Sequence, residues 1–177
     1  MSTTEEDIAA DVDVDADAPS TPAAEPSSYA VFIPNTDEGE QLLKPRSQTT
    51  ARELMRPTLK REKVKTRWRA PAQSIWVKGG EVRLGQVMVN LISNAIEAMS
   101  DSQIKLLEID VVQNKRTTVH VRDSGSGIQQ PEKIFDPFYS TKAVGGSEGM
   151  GLGLSISYGL VQSFGGAIKG QNAEGGG

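Results

Sequence analysis

Apolar and polar residues recur with two different periods along this chain, and the two periods predict its helices and strands. Residues 81–100 carry apolar side chains at three- and four-residue steps, which is typical of a helix with one core-facing side. Residues 152–164 have the same spacing and end at two glycines. A weaker helical pattern covers residues 49–63, where Pro57 is expected to interrupt it.

Strand-like segments lie between and around these helices. Alternation predicts strands at residues 64–68, 75–77, 104–112, 117–122 and 167–171. The third and fourth of these are separated by four residues, which predicts a hairpin. The short apolar run at residues 29–34, which ends in proline, predicts an edge strand or a docking segment.

Charge divides the chain into two parts. The first 28 of the 177 residues hold eight acids and no Lys or Arg, whereas residues 29–177 hold 15 acids against 19 bases. We expect residues 1–45 to be a disordered acidic tail and linker, and residues 46–177 to form one folded domain. An acidic arm that docks on a basic partner is the alternative for the tail. The body has a net charge of +4, which suits an anionic ligand or an ordinary solvated surface equally well.

Composition excludes several classes of site. The absence of cysteine excludes disulfides, thiolate zinc sites and a cysteine nucleophile. No apolar run is long enough to span a membrane and no secretory signal opens the chain, so we expect a cytosolic protein with no membrane segment. Residues 44–69 hold ten Lys or Arg but a single stacking aromatic, Trp68, which favours a solvated basic face over nucleic-acid binding.

Two asparagines, Asn90 and Asn94, lie one turn apart beside the apolar stripe of the best predicted helix. Asparagine is a poor residue for the interior of a helix. The pair is therefore either part of a polar helix face or a source of amide oxygens for a hard cation. Mg²⁺ suits the second interpretation, because it takes few protein oxygens and completes its shell with phosphate oxygens and water.

Asp123 follows a predicted strand and precedes Gly125 and Gly127. Its carboxylate accepts hydrogen bonds, so it could hold an exocyclic amine such as that of adenine. Glycines at these positions let the backbone turn and approach a flat ring closely. A tight turn capped by an aspartate is the alternative.

A second glycine motif, Gly149, Gly151 and Gly153, leads into the helix predicted to start near Leu152. Helix N-termini present free amides and partial positive charge, and glycine lets a phosphate approach them. The pattern matches neither the dinucleotide fingerprint nor a Walker loop.

Aromatic residues at 135–138 precede Thr141 and Lys142. They come just before the glycine-containing residues 144–148, a composition that suits a lid anchored at one end. Lys142 could reach a terminal phosphate as a point charge, or it could be a solvent-exposed lysine.

Together and in this order, the four motifs resemble the catalytic, ATP-binding domain of sensor histidine kinases. Residues 90–95, 123–127, 135–138 and 149–153 are similar to that family's N box, first glycine box, F box and second glycine box. The amino-acid sequences of residues 136–142 and 148–157 are most similar to the C4-dicarboxylate and nitrogen sensor branch of that family. The resemblance covers residues 52–177.

The resemblance implies a two-layer α/β sandwich of the Bergerat type, with a mixed sheet backed by helices and ATP held between the helices and a lid. It implies a protein histidine kinase, which transfers the γ-phosphoryl group of ATP to a histidine on another domain or chain. ATP and Mg²⁺ are the implied cofactors. A histidine-bearing dimerisation domain and a downstream response regulator are the implied partners.

The resemblance also implies a role for each matched residue. Asn94 matches the Mg²⁺ ligand, and Asn90 assists at the metal and the phosphates. Asn90 and Lys142 are the implied catalytic residues, and Asp123 matches the adenine-binding aspartate. The other implied nucleotide-binding positions are Gly125, Gly127, Ile128, Phe138, Thr141, Lys142, Gly149, Gly151, Leu152 and Gly153.

The chain also departs from the family's pattern. Its one histidine, His120, lies in a predicted strand and is expected to be structural. The family's phosphoacceptor hairpin is missing, and its last strand is cut short at Gly177, so the chain is expected to be a C-terminally truncated domain. A non-catalytic ATP-binding regulator or a kinase remnant is the main alternative. An ATP-hydrolysing relative such as a chaperone or mismatch-repair ATPase is disfavoured, because Asn90 occupies the position of a glutamate base.

Overall fold

The structure, a computed structural model, describes residues 26–36, 42–43, 45–70, 75–140 and 151–172. Most of the predicted acidic tail lies outside the described residues. The helices and strands follow in chain order: β1 (Ser27–Ile33), β2 (Leu42–Leu43), α1 (Pro45–Arg61), β3 (Lys65–Arg69), β4 (Ile75–Trp76), α2 (Glu81–Ala98), β5 (Leu106–Gln113), β6 (Thr117–Asp123), α3 (Gly153–Ser163) and β7 (Ala167–Asn172).

Five strands form a mixed sheet in the order β3-β5-β6-β1-β7. β3 runs parallel to β5, and the other neighbours are antiparallel. The predicted hairpin is confirmed as β5 and β6, which pair from Leu107↔Asp123 to Gln113↔Thr117. β2 and β4 form a separate two-stranded ladder.

The helices form the second layer of the fold. α2 lies between α1 and α3 and packs on β6, while α3 packs on β7. Alternate residues of β5 and β6, including Ile109 and Val121, are buried on the inner face of the sheet, as the period of two requires. The expected two-layer α/β sandwich is therefore confirmed. Among the helices described, none has the length and apolarity needed to cross a bilayer.

β1 occupies an interior position in the sheet, between β6 and β7. The expectation of an edge strand at residues 29–34 is therefore wrong. β1 lies within residues 1–45, which were expected to be a disordered tail and linker. Tyr29, Val31 and Ile33 are 7%, 1% and 1% exposed, so alternate side chains of β1 enter the core. The periodicity of β1 is visible in the sequence, but its two partners lie more than 80 residues away.

α1 continues through Pro57, so the expected interruption is wrong. Proline removes one helical hydrogen bond and crowds the preceding turn. The helix persists because Ala51, Met55 and Leu59 are buried against the core on one side, while Pro57 faces solvent. Leu54, expected on the apolar face, is 65% exposed.

The burial of β1 predicts a stability difference between two chemically identical substitutions. Val31→Ala should lower the free energy of unfolding by about 2 kcal/mol, because it removes two buried methyl groups and leaves a cavity. Val82→Ala, at a position 85% exposed on α2, should change it by less than about 0.5 kcal/mol. Urea denaturation of both variants measures the difference. Equal stabilities would contradict the interior position of β1.

Candidate functional site

The carboxylate of Asp123 lies inside the molecule, at the end of β6 and opposite Leu107. The residue is 2% exposed. Its Oδ1 accepts the backbone N–H of Gly125 at 2.9 Å, and its Oδ2 accepts the hydroxyl of Ser27 from β1. A carboxylate has about four acceptor sites, so each oxygen keeps one for a further donor.

Burial governs the electrostatics around this carboxylate. Burial raises the pKa of Asp123, whereas the hydrogen bonds from Ser27 and Gly125 lower it. The effect of burial is the larger, so the pKa of Asp123 is raised. Burial also raises the pKa of the Tyr29 phenol, and the nearby charge of Asp123 adds to the rise. Tyr29 is therefore a neutral neighbour of Asp123 at physiological pH.

The first glycine motif packs against the C-terminal end of α2. Ser126 N–H donates to the carbonyl of Ala98 at 3.1 Å. A Cβ atom on Gly125 would lie 2.5 Å from that carbonyl oxygen and 2.7 Å from Asp123 Oδ1, so only glycine fits. Gly127 has a φ of 77°, a conformation that favours glycine. These contacts fix Asp123 relative to α2.

The F-box-like motif and the second glycine motif contact each other at Gly151. Phe138 N–H donates to the carbonyl of Gly151 at 3.2 Å, and a Cβ on Gly151 would lie 2.6 Å from the carbonyl oxygen of Tyr139. Phe138 is 73% exposed and has a φ of 65°, which is strained for a bulky side chain. Such strain is typical of functional loops.

Asn90 connects α2 to the first turn of α3. Its Nδ2 donates to the Gly153 carbonyl and to the Ser157 hydroxyl, both at 3.0 Å. Its Oδ1 accepts Gln86 Nε2 at 3.1 Å. The side chain therefore holds the second glycine motif and the N-terminus of α3, which begins after Leu152, beside α2.

Asn94 lies midway between the two glycine motifs on α2. It is four residues from Asn90, which contacts Gly153, and four residues from Ala98, which contacts Gly125. Each step is about 6 Å along the helix axis. Among the residues that the structure describes, Asn94 Nδ2 and Trp68 Nε1 are buried nitrogens without a hydrogen-bond partner. A buried amide without a partner is costly and suggests a ligand at this point.

Ile128 is fixed by a side chain that sequence reasoning missed. Asn172, in β7, accepts the Ile128 N–H at 2.6 Å and donates to its carbonyl at 3.0 Å. A Cβ on Gly170 would meet Ile134, and would lie 3.1 Å from Tyr29 and 3.2 Å from Ile128. The other missed residues at this site are Ser27 and Tyr29, whose proximity to Asp123 depends on long-range strand pairing that no local pattern reveals.

Three expected site residues, Thr141, Lys142 and Gly149, lie outside the described residues. His120 lies on β6 opposite Ala30 and Asp110. Neighbouring strand residues point to opposite faces, so His120 lies on the outer face, away from Asp123.

A family model described as "Histidine kinase-, DNA gyrase B-, and HSP90-like ATPase" matches residues 79–177, more than half of the chain. The chain belongs to this family. The matched region includes α2, both glycine motifs and Asp123, whereas β1 lies before it. The resemblance drawn from the four motifs is therefore confirmed.

Curated relatives of this family member are named as sensor proteins. The two-component sensor PprA of Pseudomonas aeruginosa is 34% identical over 127 residues, covering 67% of this chain and 14% of that protein. The C4-dicarboxylate transport sensor DctB of the same organism is 33% identical over 60% of this chain and 18% of its own length. Sensor histidine kinase ZraS of Salmonella typhi is 40% identical over 52% of this chain and 20% of its own length. The chain thus spans about a fifth or less of these relatives.

Solved structures support the fold of this ATPase family. The catalytic domain of histidine kinase ThkA superimposes with a TM-score of 0.61 at 22% identity, covering 76% of this chain and 96% of that one. Full-length ShkA in complex with AMPPNP gives a TM-score of 0.54 at 23% identity, covering 78% of this chain and 33% of that one. At these identities the similarity is one of architecture.

The tight packing of Gly125 predicts that a single methyl group disturbs the site. Gly125→Ala should lower the free energy of unfolding by about 1–3 kcal/mol, because its Cβ overlaps the Ala98 carbonyl. Gly159→Ala is the matched control, since a Cβ on this α3 glycine meets nothing within 4 Å. It should be neutral or stabilise the protein by up to about 1 kcal/mol. Thermal unfolding of both variants measures this, and equal melting temperatures would refute the contact.

The raised pKa of Asp123 predicts a pH dependence of stability with a definite sign. The folded state binds this proton more tightly than the unfolded chain, in which the aspartate has its usual pKa of 3.8. The group's contribution to stability is therefore full below pH 3.8 and is lost as pH rises through the raised pKa. Asp123→Asn does not titrate, so its stability relative to the wild type should increase from about pH 4 to pH 7. Urea denaturation across this range tests the sign; a constant or decreasing difference contradicts it.

Proposed function

We propose that this chain binds ATP and Mg²⁺ as the catalytic domain of a two-component sensor histidine kinase. It transfers the γ-phosphoryl group of ATP to a histidine on a separate domain or chain. Membership of an ATPase family and the name of the relative ZraS, a sensor histidine kinase, support this proposal.

One geometric observation carries the proposal. One edge of α2 contacts both glycine motifs. Ala98 contacts the first motif at Gly125, and Asn90 contacts the second motif at Gly153. Asn94 lies between these two contacts on the same edge. The buried carboxylate of Asp123 adjoins the Ala98 end. An elongated ligand lying along this edge would have its base near Asp123 and its phosphates near Asn94 and the N-terminus of α3.

The base end of the site has the chemistry that adenine needs. Asp123 retains acceptor capacity on each oxygen, and the 6-amino group of adenine donates hydrogen bonds. Gly127 and Ile128 would border the ring, since their backbone follows directly from the Asp123 turn. Tyr29 on β1 is a neutral neighbour of the carboxylate.

The phosphate end has a side chain suited to Mg²⁺. The carboxamide of Asn94 presents either its oxygen or its nitrogen by rotation about its last bond, and its Nδ2 is buried without a protein partner. Among the described residues no cluster of three or more His, Cys, Asp or Glu could hold a metal ion. One carboxamide oxygen, with water and phosphate oxygens, fits the habits of Mg²⁺. When bound, the ion would neutralise phosphate charge.

The remaining residues would position the phosphates. Asn90, held by Gln86 and α3, would set the distance between α2 and the second glycine motif. Lys142 and Thr141 would approach the γ-phosphate, and Phe138 would lie where the lid begins. Gly149, Gly151, Leu152 and Gly153 would frame the phosphates. Catalysis would then depend on positioning and charge neutralisation, as in phosphoryl transfer generally.

The acceptor histidine would come from another domain or chain. His120 is the single histidine of the chain and lies on the outer face of the sheet, which favours an external acceptor. A histidine-bearing dimerisation domain and a response regulator would be the partners, in the cytosol where ATP is available. The same position of His120 favours a second candidate, an ATP-binding regulator that does not transfer phosphate.

Transfer of label to a separate acceptor distinguishes these two functions. The chain is incubated with Mg²⁺, ATP labelled on its γ-phosphoryl group, and a histidine-bearing hairpin from a related sensor kinase. We expect an acid-labile, base-stable label on the hairpin, as for a phosphorylated histidine. Asp123→Asn should abolish labelling and ATP binding, because an amide cannot replace both acceptor oxygens. ATP binding without labelling would favour the regulator, and binding that survives Asp123→Asn would refute the adenine role.

Removal of the Asn94 carboxamide should uncouple nucleotide binding from the metal. We expect Asn94→Ala to lower ATP affinity on the order of tenfold in the presence of Mg²⁺ and to leave affinity without Mg²⁺ nearly unchanged. Asn114→Ala, in the exposed turn between β5 and β6, is the matched control and should keep the full response to Mg²⁺. Calorimetric titration with and without Mg²⁺ measures both; an unchanged response in Asn94→Ala argues against the ligand role.

A further inference from the structure

β3 forms one edge of the five-stranded sheet. It pairs in parallel with β5 from Lys65↔Leu106 to Arg69↔Asp110, and it has no second neighbour among the described strands. Lys65 N–H donates towards β5, to the carbonyl of Lys105 at 2.8 Å. Because successive residues of a strand direct their backbone groups to opposite sides, the N–H and carbonyl groups of Thr66 and Trp68 point away from β5. This side of β3, its open edge, therefore offers donors and acceptors to a further strand.

The side chains of β3 differ between its two faces. Lys65, Arg67 and Arg69 are exposed on the outer face of the sheet, whereas Thr66 and Trp68 are half-buried on the inner face. On the inner face the guanidinium of Arg52, from α1, lies 5.8 Å from the centre of the Trp68 ring. A strand added at the open edge would meet cations on one face and a partly exposed aromatic side chain on the other.

Charges on the outer face alternate in sign from strand to strand. Arg67 on β3 pairs with Glu108 on β5 at 3.0 Å, and Glu108 lies opposite Arg122 on β6. In the next row Arg69 lies 3.7 Å from Asp110. The side chains of Arg67 and Arg69 remain 62% and 70% exposed, so their guanidinium groups keep donors for another carboxylate. A strand that continues this alternation beyond β3 carries acids opposite its three cations.

Residues 11–15, Asp-Val-Asp-Val-Asp, have the alternation that this edge requires. They lie outside the described residues. Placed antiparallel to β3 with Asp13 opposite Arg67, the segment sets an acid opposite each of the three cations of β3. Val12 and Val14 then lie opposite Trp68 and Thr66 on the inner face. Directly opposed residues of opposite charge stabilise a pair of strands, as do apolar residues packed on an aromatic ring.

The connection to β1 is long enough for this placement. Ser28 is in the same cross-strand row as Arg67, since the strand registers relate Ser28 to Arg122, Arg122 to Glu108 and Glu108 to Arg67. A strand beyond β3 lies four strand spacings from β1, or about 19 Å. The intervening residues 16–27 can extend over about 40 Å. The antiparallel direction places Asp15 at the Lys65 end of β3, the same end of the sheet as Ser28, which keeps the connection short.

We propose that residues 11–15 dock on the open edge of β3 as a sixth strand of the sheet, antiparallel to β3. The chain's own segment is the occupant that fits, because it matches the edge in the sign of its charge, in the period of its side chains and in its reach. The cations of β3 repel a basic strand, so the edge selects an acidic one. The acidic N-terminal part of the chain thus has a defined binding surface on the folded domain.

Disulfide trapping within one chain tests the docking and its direction. The chain has no cysteine, so introduced thiols report without background. In the antiparallel arrangement Val14 lies opposite Thr66, at a separation that suits a disulfide. The full chain with Val14→Cys and Thr66→Cys is oxidised at low protein concentration. We expect a disulfide-linked monomer that forms about ten times faster than in a chain with Val14→Cys and Val82→Cys, which reports random collision at a position 85% exposed on α2.

The trapping experiment can overturn the proposal in three ways. Equal rates for the Thr66→Cys and Val82→Cys pairs would mean that the segment does not dock on β3. A disulfide-linked dimer in place of the monomer would make a second copy the occupant. Faster oxidation of Val12→Cys with Thr66→Cys would reject the antiparallel direction, because a parallel segment sets Val12 opposite Thr66.

Hydrogen exchange tests the same docking without introduced thiols. The backbone amides of Thr66 and Trp68 are protected only if a strand covers the open edge. We expect both amides to exchange about tenfold faster when Asp11, Asp13 and Asp15 are all replaced by asparagine in the full chain. The matched control, Glu5→Gln with Glu6→Gln and Asp7→Asn, removes as many charges from the same acidic part of the chain and should leave both rates unchanged.

Two results of the exchange measurement would contradict the proposal. Equal rates in the wild type and in the triple asparagine variant would show that residues 11–15 do not cover the edge. Equal acceleration by the two triple variants would show a general attraction of charge rather than a docked strand. Neither experiment involves a nucleotide, so both outcomes are independent of the proposed function.

Discussion

A buried carboxylate is the constraint on which the rest of this structure depends. Asp123 is almost completely enclosed, and an ionised group in such a place is unstable unless it is hydrogen-bonded. Its two donors come from different parts of the chain, Ser27 on β1 and the backbone of Gly125. The carboxylate therefore requires both the insertion of β1 into the sheet and the close packing of the first glycine motif on α2. Its raised pKa indicates that these bonds offset the burial incompletely.

α2 connects the part of the site that contains this carboxylate to the part that contains the second glycine motif. Ala98 contacts the first glycine motif, and Asn90 holds Gly153 and Ser157 of α3. Because a helix is rigid over eight residues, the two glycine motifs have a fixed separation of about 12 Å along its axis. Asn94 lies between them, and its Nδ2 is buried without a protein partner. The proposed nucleotide thus lies along a rigid helix, while its metal and its base meet groups whose positions that helix sets.

Local patterns revealed much of this fold, because helices, hairpins and glycine motifs have signals confined to a few residues. The spacing of Leu84, Leu91 and Ala95 predicted α2, and all three are buried. The turn after residue 113 predicted the pairing of β5 with β6. Pro57 wrongly predicted an interruption of α1. The helix continues because the packing of Met55 and Leu59 outweighs the local disadvantage of proline.

Long-range relations account for what the sequence left open. Residues 29–34 have the composition of a strand, but nothing near them indicates that it pairs with both β6 and β7. The contacts of Asp123 with Ser27 and of Ile128 with Asn172 follow from that arrangement. Asn90 illustrates a different limit, because its position in a motif suggested phosphate chemistry while its hydrogen bonds join two helices.

The central claim is that the buried carboxylate of Asp123 recognises an exocyclic amine. The most direct measurement compares the affinities of the wild-type chain for ATP and for inosine triphosphate, which carries a carbonyl in place of the 6-amino group. A carbonyl directed at a buried carboxylate leaves both acceptors unpaired, so we predict at least a tenfold preference for ATP, corresponding to about 1.4 kcal/mol. Equal affinities for the two nucleotides would contradict the claim.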